Sequence, residues 1–153
     1  MTDAPGEKPY AEKMGAINLQ RIVDAQAPVW DEVRSELQQA RKRTHWMWFV
    51  FPQLAGLGRS GTARFYGIRG AEEASAYLAH PLLGARLREC CELLLNAPGV
   101  SAQDVFGAVD AMKLRSCLTL FDAVSPQTLV FQQCLDRYFD GERDPLTLEL
   151  LAR

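Results

Sequence analysis

From Asn18 onward, apolar residues recur at spacings of three and four, the period of helices that bury one face. Sustained alternation with period two, the mark of a half-buried strand, is nearly absent. In "LQRIVDAQ", capped by Asn18, the residues Leu19, Ile22 and Val23 share a face. In "PVWDEVRSELQQARK", Val29, Val33 and Leu37 repeat every four with Trp30 beside them, and cations gather in the last turn, where the helix dipole is negative. "GTARFYG" reads as a short helix and "AEEASAYLA" as another with acids in its first turn. "PLLGARLRECCELLLN" carries a wide apolar face through Leu83, Leu87, Cys90 or Cys91, and Leu94. Ser101 caps "AQDVFG", with Asp104 three residues on as a weak relative of the capping box. "AVDAMKLRSCLTLFDAV" puts Leu114, Cys117, Leu118 and Phe121 on one stripe. "PQTLVFQQCLDRYF" does the same with Leu129, Val130, Cys134, Leu135 and Phe139, and "PLTLELLA" closes the chain. Proline follows a boundary residue at Ala27-Pro28, His80-Pro81, Ser125-Pro126 and Asp144-Pro145, which suits first helical positions.

The pattern predicts an all-α fold, a compact single-domain bundle of about seven or eight helices over residues 17–153. Residues 1–16, "MTDAPGEKPYAEKMGA", are expected as a disordered polar arm. One stretch resists the pattern. "HWMWFVF", residues 45–51, is apolar or aromatic at nearly every position, so periodicity does not separate a buried strand from a buried helical turn. A lone strand leaves its backbone unpaired, which favours helical or irregular structure there.

Composition narrows the classes. The chain has 153 residues, a size that suits one core, and its net charge of −2 gives no global field toward nucleic acid or an anionic membrane. No apolar run approaches the roughly 20 residues that span a bilayer, and the polar start lacks the apolar core of a secretory signal. Cys90, Cys91, Cys117 and Cys134 form no C-x-x-C pair and sit inside helical patterns, as reduced buried thiols of a cytoplasmic protein would.

Candidate chemistry clusters in "RKRTHWMWFVFPQLAGLGRSG". Gly56-Leu57-Gly58-Arg59-Ser60-Gly61 matches G-x-G-x-x-G, with Glu72 and Glu73 downstream. The dinucleotide reading fails on context, because Pro52 and Gln53 intervene and no alternating strand-helix pattern follows. Two readings stay open: a plain glycine turn, or an anion-accepting corner built from Gly56, Gly58, Arg59 and Ser60 at a helix start. His45 is a candidate general acid or base. Trp46 and Trp48 are candidate aromatic walls for a planar ring, or core. His80 sits before Pro81, and two histidines without an acidic pair at helical spacing make a poor metal set, so no metal or cofactor is expected. Asp110, Lys113, Arg115 and Ser116 place three charges on a helix whose neighbours are apolar, so they need partners or a cleft. Arg41-Lys42-Arg43 reads as a solvated helix end, with RNA contact as the weaker alternative. No G-x-S-x-G, Walker or H-E-x-x-H motif occurs; a Cys-His nucleophile pair stays open, with Cys117 its least implausible member.

Taken together, "NLQRIVDAQ", "ARKRTHWMWFVFPQLAGLGRSGTARFYGI", "EASAYLAHPLLGARL", "VFGAVDAMKLRSCLTLF" and "LDRYFDGERDPLTLELL" resemble one uncharacterised bacterial family, domain of unknown function 1810. The likeness runs in order from Asn18 to Leu151, and it implies a compact, mostly helical domain with no established reaction. The family's distinctive stretches map onto His45-Trp46-Met47-Trp48, Pro52-Gln53-Leu54, Gly56-Leu57-Gly58, His80-Pro81 and Lys113-Leu114-Arg115-Ser116. Its pattern often carries a second serine where Cys117 stands, which implies that this thiol is not a required nucleophile. Some members carry the name of calpastatin, a calpain inhibitor; calpastatin inhibitory segments are disordered and repetitive, whereas this chain is cored and repeat-free.

These readings converge on a pocket for an anionic small molecule, a nucleotide or phosphorylated metabolite, with a hydrolytic step such as glycosidic-bond cleavage as an extension. His45 or Asp110 would serve as acid or base. Trp46, Trp48, Gln53, Gly56, Gly58, Arg59, Ser60, His80, Lys113, Arg115 and Ser116 would hold the ligand. The alternative is a non-enzymatic protein-interaction module of unspecified partner. Nucleic acid is disfavoured and no membrane partner is expected. Concavity discriminates: the first reading needs these side chains around one hollow.

Overall fold

A computed structural model describes residues 17–153; the arm expected over residues 1–16 lies outside the described residues. The architecture is the all-α multi-helix bundle expected from the periodicity. Helix α1 (Gln20–Gln26) passes through a 3-10 turn, Ala27–Val29, into α2 (Trp30–Gln38). Pro28 sits in the first positions of that turn, where proline is best tolerated. Helix α2 ends earlier than the sequence pattern suggests. Ala40 turns left-handed at φ 56°, the Ala40 amide donates to the Leu37 carbonyl at 3.0 Å, and the Arg41 amide donates to Glu36 at 2.9 Å. This pair of bonds is a Schellman stop with alanine in the glycine position. The basic run Arg41–Arg43 therefore lies in the loop beyond α2 rather than in its last turn.

Met47–Val50 form a single helical turn, α3, so "HWMWFVF" is not a strand. Among the described residues no strand forms; Leu54 and Ile68 make one isolated parallel bridge, with Ala55 donating to Ile68 at 2.7 Å and Ile68 to Gln53 at 2.8 Å. Between these bridge residues the chain makes a loop and then α4 (Gly61–Tyr66), capped by Ser60. Helices α5 (Ala71–Ala79) and α6 (Leu83–Leu95) follow.

Helix α7 (Ala102–Val124) is the axis of the molecule. Ser101 and Asp104 form a full capping box: the Ser101 hydroxyl accepts from the Asp104 amide at 3.0 Å, and the Asp104 carboxylate from the Ser101 amide at 3.1 Å. Gly107 breaks the helix at φ 80°, ψ 165°, and the Val105 carbonyl accepts from the Lys42 amide at 2.8 Å. That bond ties the basic loop to α7. Helices α8 (Leu129–Phe139) and α9 (Pro145–Ala152) complete the chain. The expected start of α8 at Pro126 is displaced, because the residues from Pro126 form a turn in which Thr128 donates to Ser125 at 3.0 Å.

The core follows from the stripes. Leu114, Cys117, Leu118, Leu120 and Phe121 of α7 are wholly buried, and each such leucine contributes about 2 kcal/mol of burial. Phe121 packs between Tyr77 of α5 and Phe131 of α8, at ring separations of 5.2 and 5.8 Å. A second aromatic cluster joins Trp46, Phe51 and Phe106 at 5.9 to 6.4 Å. It fixes the loop before α4 against the first segment of α7. All four cysteines are free and buried among these helices.

Candidate functional site

A cleft of about 500 Å³ opens between three segments. The first runs from Gln53 to Ala63 and contributes Gln53, Leu57, Arg59, Ser60 and Ala63. The second is α7, which contributes Val109, Met112, Lys113 and Ser116, a spacing of i, i+3, i+4 and i+7 that puts them on one face. The third is the start of α9, with Asp144 and Leu146. Leu57, Val109, Met112 and Leu146 make the wall apolar. Val109 and Met112 stand 68% and 71% exposed, unusual for large apolar side chains on a cored helix, and Leu146 of α9 stands 49% exposed.

The polar lining holds two cations, Arg59 and Lys113, and one carboxylate, Asp144. Arg59 is exposed and has no hydrogen-bond or ion-pair partner among the described residues. The Ser60 hydroxyl accepts from the Ala63 amide at 3.1 Å, capping α4 and leaving its own proton to donate. Lys113 lines the cleft and also belongs to a charge network with Asp110 and Lys42. Its ammonium lies 3.8 Å from Asp110 and 5.4 Å from the centre of the Trp48 ring. Asp110 has a nearer partner, Lys42, at 3.0 Å. The Lys42 side chain, only 7% exposed, also donates to the Thr44 carbonyl at 2.6 Å and lies over the Trp46 ring at 5.1 Å.

Asp144 is placed by α7 from 28 residues away. Arg115 donates to the carbonyls of Glu142 at 2.9 Å and Arg143 at 2.7 Å. The Thr119 hydroxyl accepts from the Asp144 amide at 2.9 Å, and Arg143 pairs with buried Asp122. Asp144 then accepts from the hydroxyls of Ser116 at 2.8 Å and Thr147 at 2.5 Å. Burial acts to raise its pKa, but those hydrogen bonds outweigh it and hold the carboxyl below its ordinary value. Asp144 is therefore ionised at neutral pH.

Of the residues singled out from sequence, Gln53, Arg59, Ser60, Lys113 and Ser116 line this cleft. Trp48 lies next to it, in a small pit that shares Gln53, Ala63 and Lys113. Others stand elsewhere. His45 is exposed in the bend before α3 and does not line the cleft. Trp46 is buried, its indole N–H donating to Glu36 at 2.9 Å. Gly56 borders a separate hollow beside Leu150 and Arg69. Gly58 backs α4 so closely that a Cβ there would meet Ala63 and the Arg64 amide at 3.0 to 3.1 Å. His80 links α5 to α6, its Nδ1 accepting from the amides of Leu82 at 3.1 Å and Leu83 at 3.2 Å. Asp110 and Arg115 act through neighbours: one braces the lysines, the other holds the Asp144 loop. Burial pushes the Cys117 thiol well above its ordinary pKa, which leaves it protonated. Among the described residues no group of three or more His, Cys, Asp or Glu is placed to hold a metal ion, and no helix is long and apolar enough to cross a membrane.

Sequence reasoning missed Asp144, Val109, Met112 and Leu146. The i, i+3, i+4, i+7 stripe from Val109 to Ser116 was available as a signal, being a second face of the helix whose apolar stripe is Leu114 to Phe121. Asp144 offered only its role before Pro145.

The model of a family described as protein of unknown function (DUF1810) matches residues 16–151. A crystal structure of the conserved hypothetical protein Rv1873 from Mycobacterium tuberculosis is similar to this chain at 50% sequence identity, covering 88% of this chain and 96% of that one, with a TM-score of 0.87. No curated protein matches.

Proposed function

The chain belongs to the family of proteins of unknown function DUF1810, and from the geometry of its cleft we propose that it binds a small phosphorylated metabolite between Arg59 and Lys113. The observation that carries this reading is a largely apolar cleft of about 500 Å³ whose lining holds an arginine with no partner among the described residues. Arginine presents a fork of N–H donors matched to phosphate or carboxylate. Lys113 adds a second cation, and Ser60 and Gln53 add neutral donors. Helix α4 has six residues, too short for its dipole to matter, so the cations carry the anion recognition. The apolar wall takes the body of the ligand, and Asp144 accepts from an N–H or O–H group at the other end. Any hydrolytic chemistry on that ligand falls to Asp144 rather than to His45 or Asp110, since it is the carboxylate that borders the space.

The test is thermal unfolding with millimolar nucleoside monophosphates, sugar phosphates and pyrophosphate. A ligand at 100 times its Kd stabilises by about 2.7 kcal/mol, a rise in Tm of several degrees at this size. The rise is expected in the native chain and is expected to vanish in Arg59→Ala. No stabilisation by any of these anions contradicts the reading. A protein partner seated on exposed Val109 and Met112 is the second reading, favoured by their exposure alone.

A further inference from the structure

Beside the cleft lies a pit of about 10 Å³, lined by Met47, Trp48 and Phe51 and continuous with the cleft through Gln53, Ala63 and Lys113. As it stands the pit holds no more than a water. Lys113 stands between the two spaces. Its ammonium is over the half-buried Trp48 ring at 5.4 Å and is 3.8 Å from Asp110, outside hydrogen-bond reach. Asp110 does not depend on it, because Lys42 already sits 3.0 Å from the same carboxylate and is itself nearly buried. Lys42 is thus the fixed partner, and Lys113 is the loosely held one, on a flexible four-carbon stem a quarter exposed. An anion in the cleft competes with a carboxylate at 3.8 Å and a ring face, both modest holds at a partly exposed site.

We propose that Lys113 is a movable cover on Trp48 and that the cleft takes an anion carrying a flat ring. The anionic group draws the ammonium toward Arg59, and the ring of the ligand takes the position the ammonium leaves against the indole. The space for the ring is the cleft itself; the movement of Lys113 is what gives it an aromatic face. A nucleoside monophosphate has this chemistry, and a sugar phosphate has only the anionic half of it. The inference rests on the anion-binding reading above and adds the ring to it.

The experiment compares adenosine 5′-monophosphate with ribose 5-phosphate on the full chain, following affinity by titration and tryptophan emission on excitation at the red edge. Stacking on one aromatic side chain is expected to favour the nucleotide by about tenfold or more and to quench emission, while ribose 5-phosphate binds without quenching. In Trp48→Leu the quench is expected to be lost and the two affinities to draw together. Lys113→Met, at a partly exposed position that should not disturb folding, is expected to weaken both ligands. Equal affinities in the native chain with unchanged emission overturn the stacking role of Trp48 and leave the anion cleft standing. Binding of neither ligand overturns both. The comparison in the native chain decides the matter even if Trp48→Leu fails to fold.

Discussion

At the scale of residues, one carboxylate shows how the loop that feeds the site is held. Glu36 is buried, and its oxygens accept from the amides of Arg43 at 2.8 Å and Thr44 at 3.2 Å, the Thr44 hydroxyl at 2.7 Å and the Trp46 indole at 2.9 Å. Burial works to raise its pKa, but these donors outweigh it and lower it from the ordinary 4.5. A carboxyl depressed on folding stabilises the native state fully above its unfolded pKa. That contribution is lost as pH falls through the folded value. Glu36→Gln is therefore expected to cost about 2 kcal/mol at pH 7. The gap between the variant and the native chain should narrow at pH values below about 4.5, where the native chain loses the same charge. Urea unfolding between pH 7 and pH 3 checks both points; a gap that stays constant into acid contradicts the assignment. The candidate site was partly legible at this scale. Arg59, Ser60, Lys113 and Ser116 declared themselves as donors or cations in unusual company. His45 and Arg115 declared themselves equally, yet one faces solvent and the other holds a loop. Residue type tells what a side chain can do and not where it points. Asp144 was illegible because its partners, Ser116 and Thr119, stand 28 and 25 residues away along the chain.

At the scale of elements, the punctuation carried most of the information. Ser101 with Asp104 announced the start of α7, and the apolar stripes named the buried faces. What the pattern did not reveal was the stop at Ala40, made by backbone conformation; the division of "AQDVFG" from "AVDAMKLRSCLTLFDAV" already fell at Gly107. Ala40 ends α2 in a left-handed geometry that glycine adopts more cheaply, while Gly107 breaks α7 in a geometry that alanine resists. The two positions make opposite predictions. Ala40→Gly is expected to stabilise the chain by about 1 kcal/mol, and Gly107→Ala to destabilise it by about 1–2 kcal/mol. Apart from its chain neighbours and its own helix backbone, nothing lies within 4 Å of a Cβ built at Gly107, so the second cost is conformational rather than steric. Denaturant midpoints of the two variants measure the pair; a stabilising Gly107→Ala would mean that α7 runs straight and that the Lys42 loop is tied differently.

At the scale of the whole molecule, a bundle with a single central helix explains how scattered polar residues reach one cleft. One face of α7 is buried from Leu114 to Phe121, and an adjacent face, Val109 to Ser116, is left for the Gln53–Ala63 segment and the start of α9 to approach without closing over it. The all-α class was legible because helical periodicity survives in local sequence. The cleft was legible only as a list of candidates, because its walls are brought together by packing between elements far apart in the chain. The most direct measurement is therefore a residue-resolved one: amide chemical-shift mapping of the full chain titrated with adenosine 5′-monophosphate. The expected result is a set of saturable shifts confined to Met47–Gln53, Gly58–Ala63, Val109–Ser116 and the Asp144 turn. Shifts absent throughout, or centred instead on the hollow between Arg69 and Arg153, would contradict the account.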